Sequence, residues 1–189
     1  MTQPTRSWIP GLTAVVFVGA AAAARLLPHP DNVTPMIPMA LFAGSQFAPA
    51  VAWPLVIGAM LAGDLALGWV PQNLSGYVAL ILIAALGAWV RRWPAGDGPA
   101  SSRGSHRPRG WAIALATWAG STLFFLVSNL GVWLEGLLYP RTAEGLVACY
   151  VAAIPFYRNQ LVGDLAYSAL LFGGFAVLCR WRGWVPARA

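Results

Sequence analysis

The sequence predicts an all-α, polytopic membrane protein with six transmembrane helices and a short re-entrant or interfacial helix in the fifth loop. Three observations point there. Hydrophobic residues make up 58% of the 189 residues and charged ones only 10%, where a typical soluble domain carries roughly 25% charged residues. A soluble globule of this size could not hide that much apolar surface. The apolar residues also fall into runs close to the ~20 residues a helix needs to cross a bilayer. Finally, the arginines cluster in alternate connections, as cytoplasmic loops require. The mean hydropathy is +0.63 and the pI about 10.2. The net charge of +6 is therefore read through topology and not as a nucleic-acid signal. The composition also excludes a disordered chain and a secreted disulfide scaffold.

The first span is Leu12 to Leu27, closed by Pro28 and Pro30. Pro35 to Phe47 is a second, shorter one. Val51 to Val70 is the third, and Tyr77 to Val90 the fourth, with no charge inside it. Trp111 to Leu130 is the fifth, and Leu161 to Cys179 the sixth. Gly145 to Phe156 is apolar but too short to span, and reads as the re-entrant or interfacial helix.

With the N-terminus inside, nine of the twelve arginines are cytoplasmic: Arg6, Arg91, Arg92, Arg103, Arg107, Arg109, Arg180, Arg182 and Arg188. Arg25, Arg141 and Arg158 fall outside. Asp97 is the single acid on the inner side. Both termini are thus expected in the cytoplasm, since five or seven spans would separate Arg6 from the C-terminal arginines. The stretch Arg91–Gly110 (RRWPAGDGPASSRGSHRPRG), rich in Pro, Gly, Ser and Arg, reads as a flexible cytoplasmic loop holding His106. It interrupts one domain, residues 1–189, and does not divide it. The N-terminal apolar run lacks a small-residue cleavage site, so no cleavable signal is expected. Cys149 and Cys179 should lie at opposite faces, too far apart to pair.

Ionisable residues inside spans are costly and normally face protein or a cavity. Asp64 and Asp164 occur in the same tetrapeptide, GDLA, at Gly63–Ala66 and Gly163–Ala166. Counted from Trp69 and Asn159, each carboxylate is expected roughly 7–8 Å below the outer end of its helix. Arg25 and Arg158 are their natural partners. Such pairs either lock helix packing or line a site. The glycine of each repeat permits close approach by another segment.

The outer connections add further polar groups. The first, Leu26–Pro35, holds His29, Asp31 and Asn32 between prolines that stiffen it. The fifth, Ser128–Gln160, supplies Asn129, Trp133, Glu135, Tyr139, Tyr150, Arg158 and Asn159, and reads as a lid over a cavity. Trp69, Tyr77 and Tyr139 serve either as interfacial belt residues or as ligand walls. No nucleotide-binding loop, HExxH or CxxC occurs, and two histidines cannot build a His-rich metal site. Ser45 and Ser121 have no histidine on a span to activate them, so no enzyme is expected.

Four segments together resemble a known family: Arg25–Phe47, Leu61–Gly68, Gly120–Pro140 and Gly145–Gly174. They are similar to the substrate-binding S-components of energy-coupling-factor (ECF) vitamin transporters, and most of all to the solitary cobalamin S-components of Gram-negative bacteria. The strings HPDNVTP and AAIPFYRNQLVGD carry most of the likeness. It implies six helices in the bacterial inner (cytoplasmic) membrane and an outer cavity closed by loops 1, 3 and 5. It also implies ligand positions at His29, Asp64 and Arg158. The family's cobalt-ligating cysteine near the start of helix 4 is absent, since Tyr77 and Leu80 stand in that region. Cobalt would then be met by His29, by Cys149 or by neither. The family's AxxxA docking motif on helix 1 matches Ala20 and Ala24, and Gly19 and Ala23 share that spacing.

The expected function is uptake of a vitamin-type ligand, cobalamin or a corrinoid precursor, either with a shared ECF energising module or alone. The directional contacts would come from His29, Asp31, Asn32, Asp64, Asn129, Arg158, Asn159 and Asp164. Tyr77, Trp133 and Tyr150 would supply aromatic wall. No cofactor of its own and no nucleic acid is implied; the remaining partner is the lipid bilayer. Two alternatives stay open: a non-transporting scaffold or accessory subunit, and a membrane enzyme acting on lipid through Asp64 and Asp164.

Overall fold

The computed structural model describes residues 8–28, 30, 32–68, 74–92 and 110–182. His29, Asp31, Trp69, His106 and residues 93–109 of the expected cytoplasmic loop lie outside these. Every regular element among the described residues is helical. In chain order they are α1 (Trp8–Ala24), α2 (Met36–Gln46), α3 (Pro49–Leu67), α4 (Leu74–Val90), α5 (Gly110–Glu135) and α6 (Ala143–Ser168). A π-helical turn, Ala169–Gly173, joins α6 to α7 (Gly174–Trp181) without a break.

The local chemistry explains most boundaries. Pro49 sits at the start of α3, where its missing N–H costs nothing. Gly68 ends α3 at φ +92°, a backbone conformation that side chains resist. Thr142 caps α6 by accepting from the Gly145 N–H at 3.2 Å, which satisfies one orphan donor of the first turn.

Three helical rods are long and apolar enough to cross a membrane: Pro49–Leu67, Gly110–Glu135 and Ala143–Trp181. Large apolar side chains are exposed along them, among them Trp53, Leu65, Trp118, Val147, Val162 and Val177. This is the surface of a protein whose solvent is lipid.

Two expectations change here. The short separate helix over Gly145–Phe156 is instead the first half of α6, which continues through Pro155. Pro155 removes a single backbone hydrogen bond, and the apolar residues on both sides keep the helix intact. Nor does α2 behave as a lipid-facing span. Its 11 residues rise about 16 Å, half of a ~30 Å hydrocarbon core. Every residue from Met36 to Ser45 is buried, because α1, α3, α4, α5, α6 and the π-turn all pack on it.

The contact between α2 and α4 is the closest in the fold. A methyl group on Gly44 would collide with the Ala84 carbonyl, and one on Gly87 with the Leu41 carbonyl. Small residues are what allow backbones to approach this closely in lipid. Below this crossing Phe42 collects Phe172 at 5.2 Å, Phe175 at 5.3 Å and Phe17 at 6.1 Å between ring centroids. The π-turn supplies Phe172 to this cluster.

Candidate functional site

Arg25, in the turn after α1, donates from Nη2 to Asp64 Oδ1 at 2.7 Å. Its Nη1 reaches the Met60 carbonyl at 3.3 Å. Tyr77, in the first turn of α4, donates to Asp64 Oδ2 at 2.7 Å. Both carboxylate oxygens are thereby engaged by donors from other segments. The side chains of Arg25 and Asp64 keep only 15% and 4% of their surface exposed. Gly63 is needed beside them, since a Cβ there would lie 2.7 Å from Arg25 Nη1.

Asp164 takes a different partner. Its Oδ2 lies 2.6 Å from Ser121 Oγ, and its Oδ1 is buried with no hydrogen-bond partner. Thr117 and Ser168 meet at 2.8 Å, and Gln160 donates to the Ser121 carbonyl at 2.9 Å. All five polar residues are buried between α5 and α6. Gly163 again permits a close approach: a Cβ there would lie 3.2 Å from Val33 Cα of the first connection.

The two GDLA repeats therefore hold the two ends of one loop. The first receives Arg25, the second Val33, and the segment carrying His29, Asp31 and Asn32 runs between them. Within it Asn32 adopts φ +60°, a left-handed conformation that asparagine tolerates better than most residues.

The two aspartates are reached through different parts of α4. Asp64 is bonded by Tyr77, near the start of α4. Asp164 sits beside Ser121, and neighbouring Gly120 packs on Ile83. Ile83 is six residues beyond Tyr77, about 9 Å farther along α4. Val33 of the first connection lies beside Gly163, and Ile37 of α2 also packs on Gly120.

The other sequence-predicted residues are distributed differently. Arg158 is exposed and has no ion-pair or hydrogen-bond partner among the described residues. It shares an outward face with Val147, Val151, Ile154, Val162 and Leu165, all exposed, at helical spacings of three and four. Asp164 lies on the buried face, about 120° around the helix from Arg158. Asn159 is exposed as well. Neither residue meets the acids.

Asn129, Trp133, Tyr150 and Cys149 instead tie α5 to α6 and to the connection between them. Asn129 Nδ2 donates to the Phe125 carbonyl at 2.7 Å, and the Cys149 thiol reaches the Asn129 carbonyl at 3.5 Å. Trp133 Nε1 points at the carbonyls of Pro140 and Thr142, at 3.1 and 3.2 Å. Tyr150 donates to the Leu126 carbonyl at 2.7 Å. The expected lid is thus a bonded helical hairpin. Cys149 and Cys179 are both buried and not joined in a disulfide; they lie 30 residues apart on one continuous helix and so about 45 Å apart. Ala20 is exposed and Ala24 half-buried on α1.

Sequence reasoning passed over Thr117 and Ser168, read Gln160 as an exposed rim residue at the end of the polar run RNQ (Arg158–Gln160), where the structure buries it, and weighed Ser121 only as a nucleophile. A signal was present. Thr117 and Ser121, and Gln160, Asp164 and Ser168, recur every four residues within apolar helices, so each set lies on one face.

Fold and site together define a membrane protein, all-helical over its described residues, with two buried polar clusters. The chain belongs to a family described as a family of unknown function (DUF6580), whose model matches residues 6–186. No curated protein and no solved structure matches it.

Proposed function

We propose that this protein is an S-component-like transporter that captures a vitamin-type ligand, cobalamin or a corrinoid precursor, at the outer face of the bacterial inner membrane. In this reading it is a six-helix membrane domain with both termini cytoplasmic. It works either with a shared ECF module docking on the small residues of α1, Ala20 and Ala24, or alone.

One observation carries the reading. The connection bearing His29, Asp31 and Asn32 is pinned at Arg25 by Asp64 and at Val33 by Gly163. Holding polar groups on a short, doubly anchored segment lowers the ordering cost of binding. Asp64 and Tyr77 act in this scheme as positioning residues. Arg158, which faces outward, has no place in the ligand shell. His29 is the candidate axial ligand to cobalt, whereas the Cys149 thiol is directed at a carbonyl inside the hairpin.

The test is the absorbance spectrum of the purified protein after incubation with cobalamin and removal of free ligand. Retained corrin bands that are lost in His29→Ala, together with radiolabelled cobalamin uptake in a transport-deficient strain, are the expected result. Neither retention nor uptake by the wild-type protein would overturn the proposal and leave the scaffold reading.

A further inference from the structure

The polar cluster between α5 and α6 contains more hydrogen-bond contacts than its hydroxyl groups can supply with protons. Thr117 Oγ1 lies 2.9 Å from the Ile113 carbonyl. Ser168 and Thr117 share a contact of 2.8 Å. Ser121 Oγ lies 2.9 Å from the Thr117 carbonyl and 2.6 Å from Asp164 Oδ2. Each contact needs a proton, and carbonyls and ionised carboxylates only accept. With the Thr117 proton on the Ile113 carbonyl and that of Ser168 on Thr117 Oγ1, Ser121 has one proton for two acceptors, the Thr117 carbonyl and Asp164 Oδ2. The Ser121–Asp164 contact is the shortest of the four, and a proton on the Asp164 carboxyl would satisfy both contacts at once.

The surroundings agree. Asp164 is 1% exposed. No arginine, lysine or histidine faces it from the described residues. The helix α2 and the π-turn carry no titratable side chain, and α5 carries only Glu135, at its far end. On α6 itself, Tyr157 is engaged with Thr122, Tyr167 is half-buried three residues beyond Asp164, and Arg158 is exposed about 120° around the helix. In the first connection, His29 and Asp31 lie outside the described residues. An ionised carboxylate in such a place would lack a compensating charge. The π-turn begins just after Ser168, and such bulges are frequent at functional sites.

We propose that Asp164 is a proton-binding site in the membrane interior, and that its proton is the coupling ion of the transport proposed above. The second half rests on that transport reading; the first does not. Loading forms one O–H bond on Oδ2 and makes Ser121 the acceptor; unloading breaks that bond and returns the proton to water. Nothing is oxidised or reduced.

Infrared spectroscopy of the purified full-length protein tests the first half. A protonated carboxylic C=O band at neutral pH, shifted in D2O, absent from Asp164→Asn and kept in Asp64→Asn, is the expected result. No such band in the wild-type protein, or its persistence in Asp164→Asn, overturns the site. Its loss on replacing choline chloride by sodium chloride also overturns it, since the cluster then holds a metal cation. Should Asp164→Asn fail to fold, Ser121→Ala decides: the band must shift in frequency, and an unmoved band overturns the assignment. The second half is read in proteoliposomes. Cobalamin uptake should quicken several-fold with an alkaline interior, and this dependence should vanish in Asp164→Asn or in Ser121→Ala. Uptake indifferent to the gradient overturns the coupling alone. No uptake at all by the wild-type protein defeats the transport reading and the coupling with it, while the infrared band still decides the proton site.

Discussion

Arg25 and Asp64, 39 residues apart, meet at 2.7 Å where the end of α1 crosses α3, and Tyr77 of α4 closes the second carboxylate oxygen. Three helices and one loop end therefore depend on a single aspartate. Removing one partner of a largely buried pair leaves the other uncompensated, at a cost of about 3–5 kcal/mol. Arg25→Leu should fall toward the lower end of that range, because its guanidinium keeps some solvent. Pairing it with Asp64→Leu should cost less than the sum of the two single changes. Thermal unfolding in detergent across the double-mutant cycle measures the coupling, and strict additivity would contradict it.

Tyr77→Phe keeps the ring and removes the hydroxyl that donates to Asp64. The expected loss is about 1–3 kcal/mol, the range for an unmet buried acceptor. A melting temperature unchanged from wild type would show that the phenol contributes nothing to holding the carboxylate.

The glycines separate backbone contact from open surface. Gly44→Ala drives a methyl into the Ala84 carbonyl, and neither backbone can retreat within the buried core. It should abolish folding or accumulation in the membrane. Gly19→Ala meets nothing within 4 Å and should match or slightly exceed wild-type stability, since alanine is the better helix former. Comparing expression and unfolding of the two variants checks this.

Cys149 retains 2% of its surface inside the α5–α6 hairpin. A membrane-permeant maleimide should label it only after denaturation. Rapid labelling of the folded protein would mean that the hairpin opens and that the thiol is available to a ligand.

Arg158 has no partner among the described residues and lies on the exposed face of α6. Arg158→Ala should change unfolding stability by no more than about 0.5 kcal/mol and leave cobalamin retention intact. A loss of retention would bring Arg158 back into the ligand shell, and with it a different arrangement of α6.

The sequence showed where the helices are, because the apolar runs are long and prolines and glycines interrupt them. The boundaries of α3 and α4 lie within three residues of the runs that predict them, and α5 runs five residues past its predicted end. The continuity of α6 was not legible. A polar patch such as RNQ and a proline both suggest an end, yet the backbone hydrogen bonds carry on through them. Nor was the role of α2. Composition does not distinguish an apolar segment facing lipid from one facing other helices, since lipid and protein interior are equally apolar.

The polar residues divide in the same way. The sequence by itself determined that Asp64, Asp164 and Arg25 must be reckoned with, because charge is costly in hydrocarbon wherever it falls. It also supplied the paired GDLA motif. Only the tertiary structure decided that Arg25 turns to Asp64, that a hydroxyl meets Asp164, and that Arg158 faces away from both. Partner choice depends on rotation about each helix axis and on relative depth, and both are set by backbone contacts such as that of Gly44 with Ala84. Those contacts join residues far apart along the chain, where local spacing carries no information.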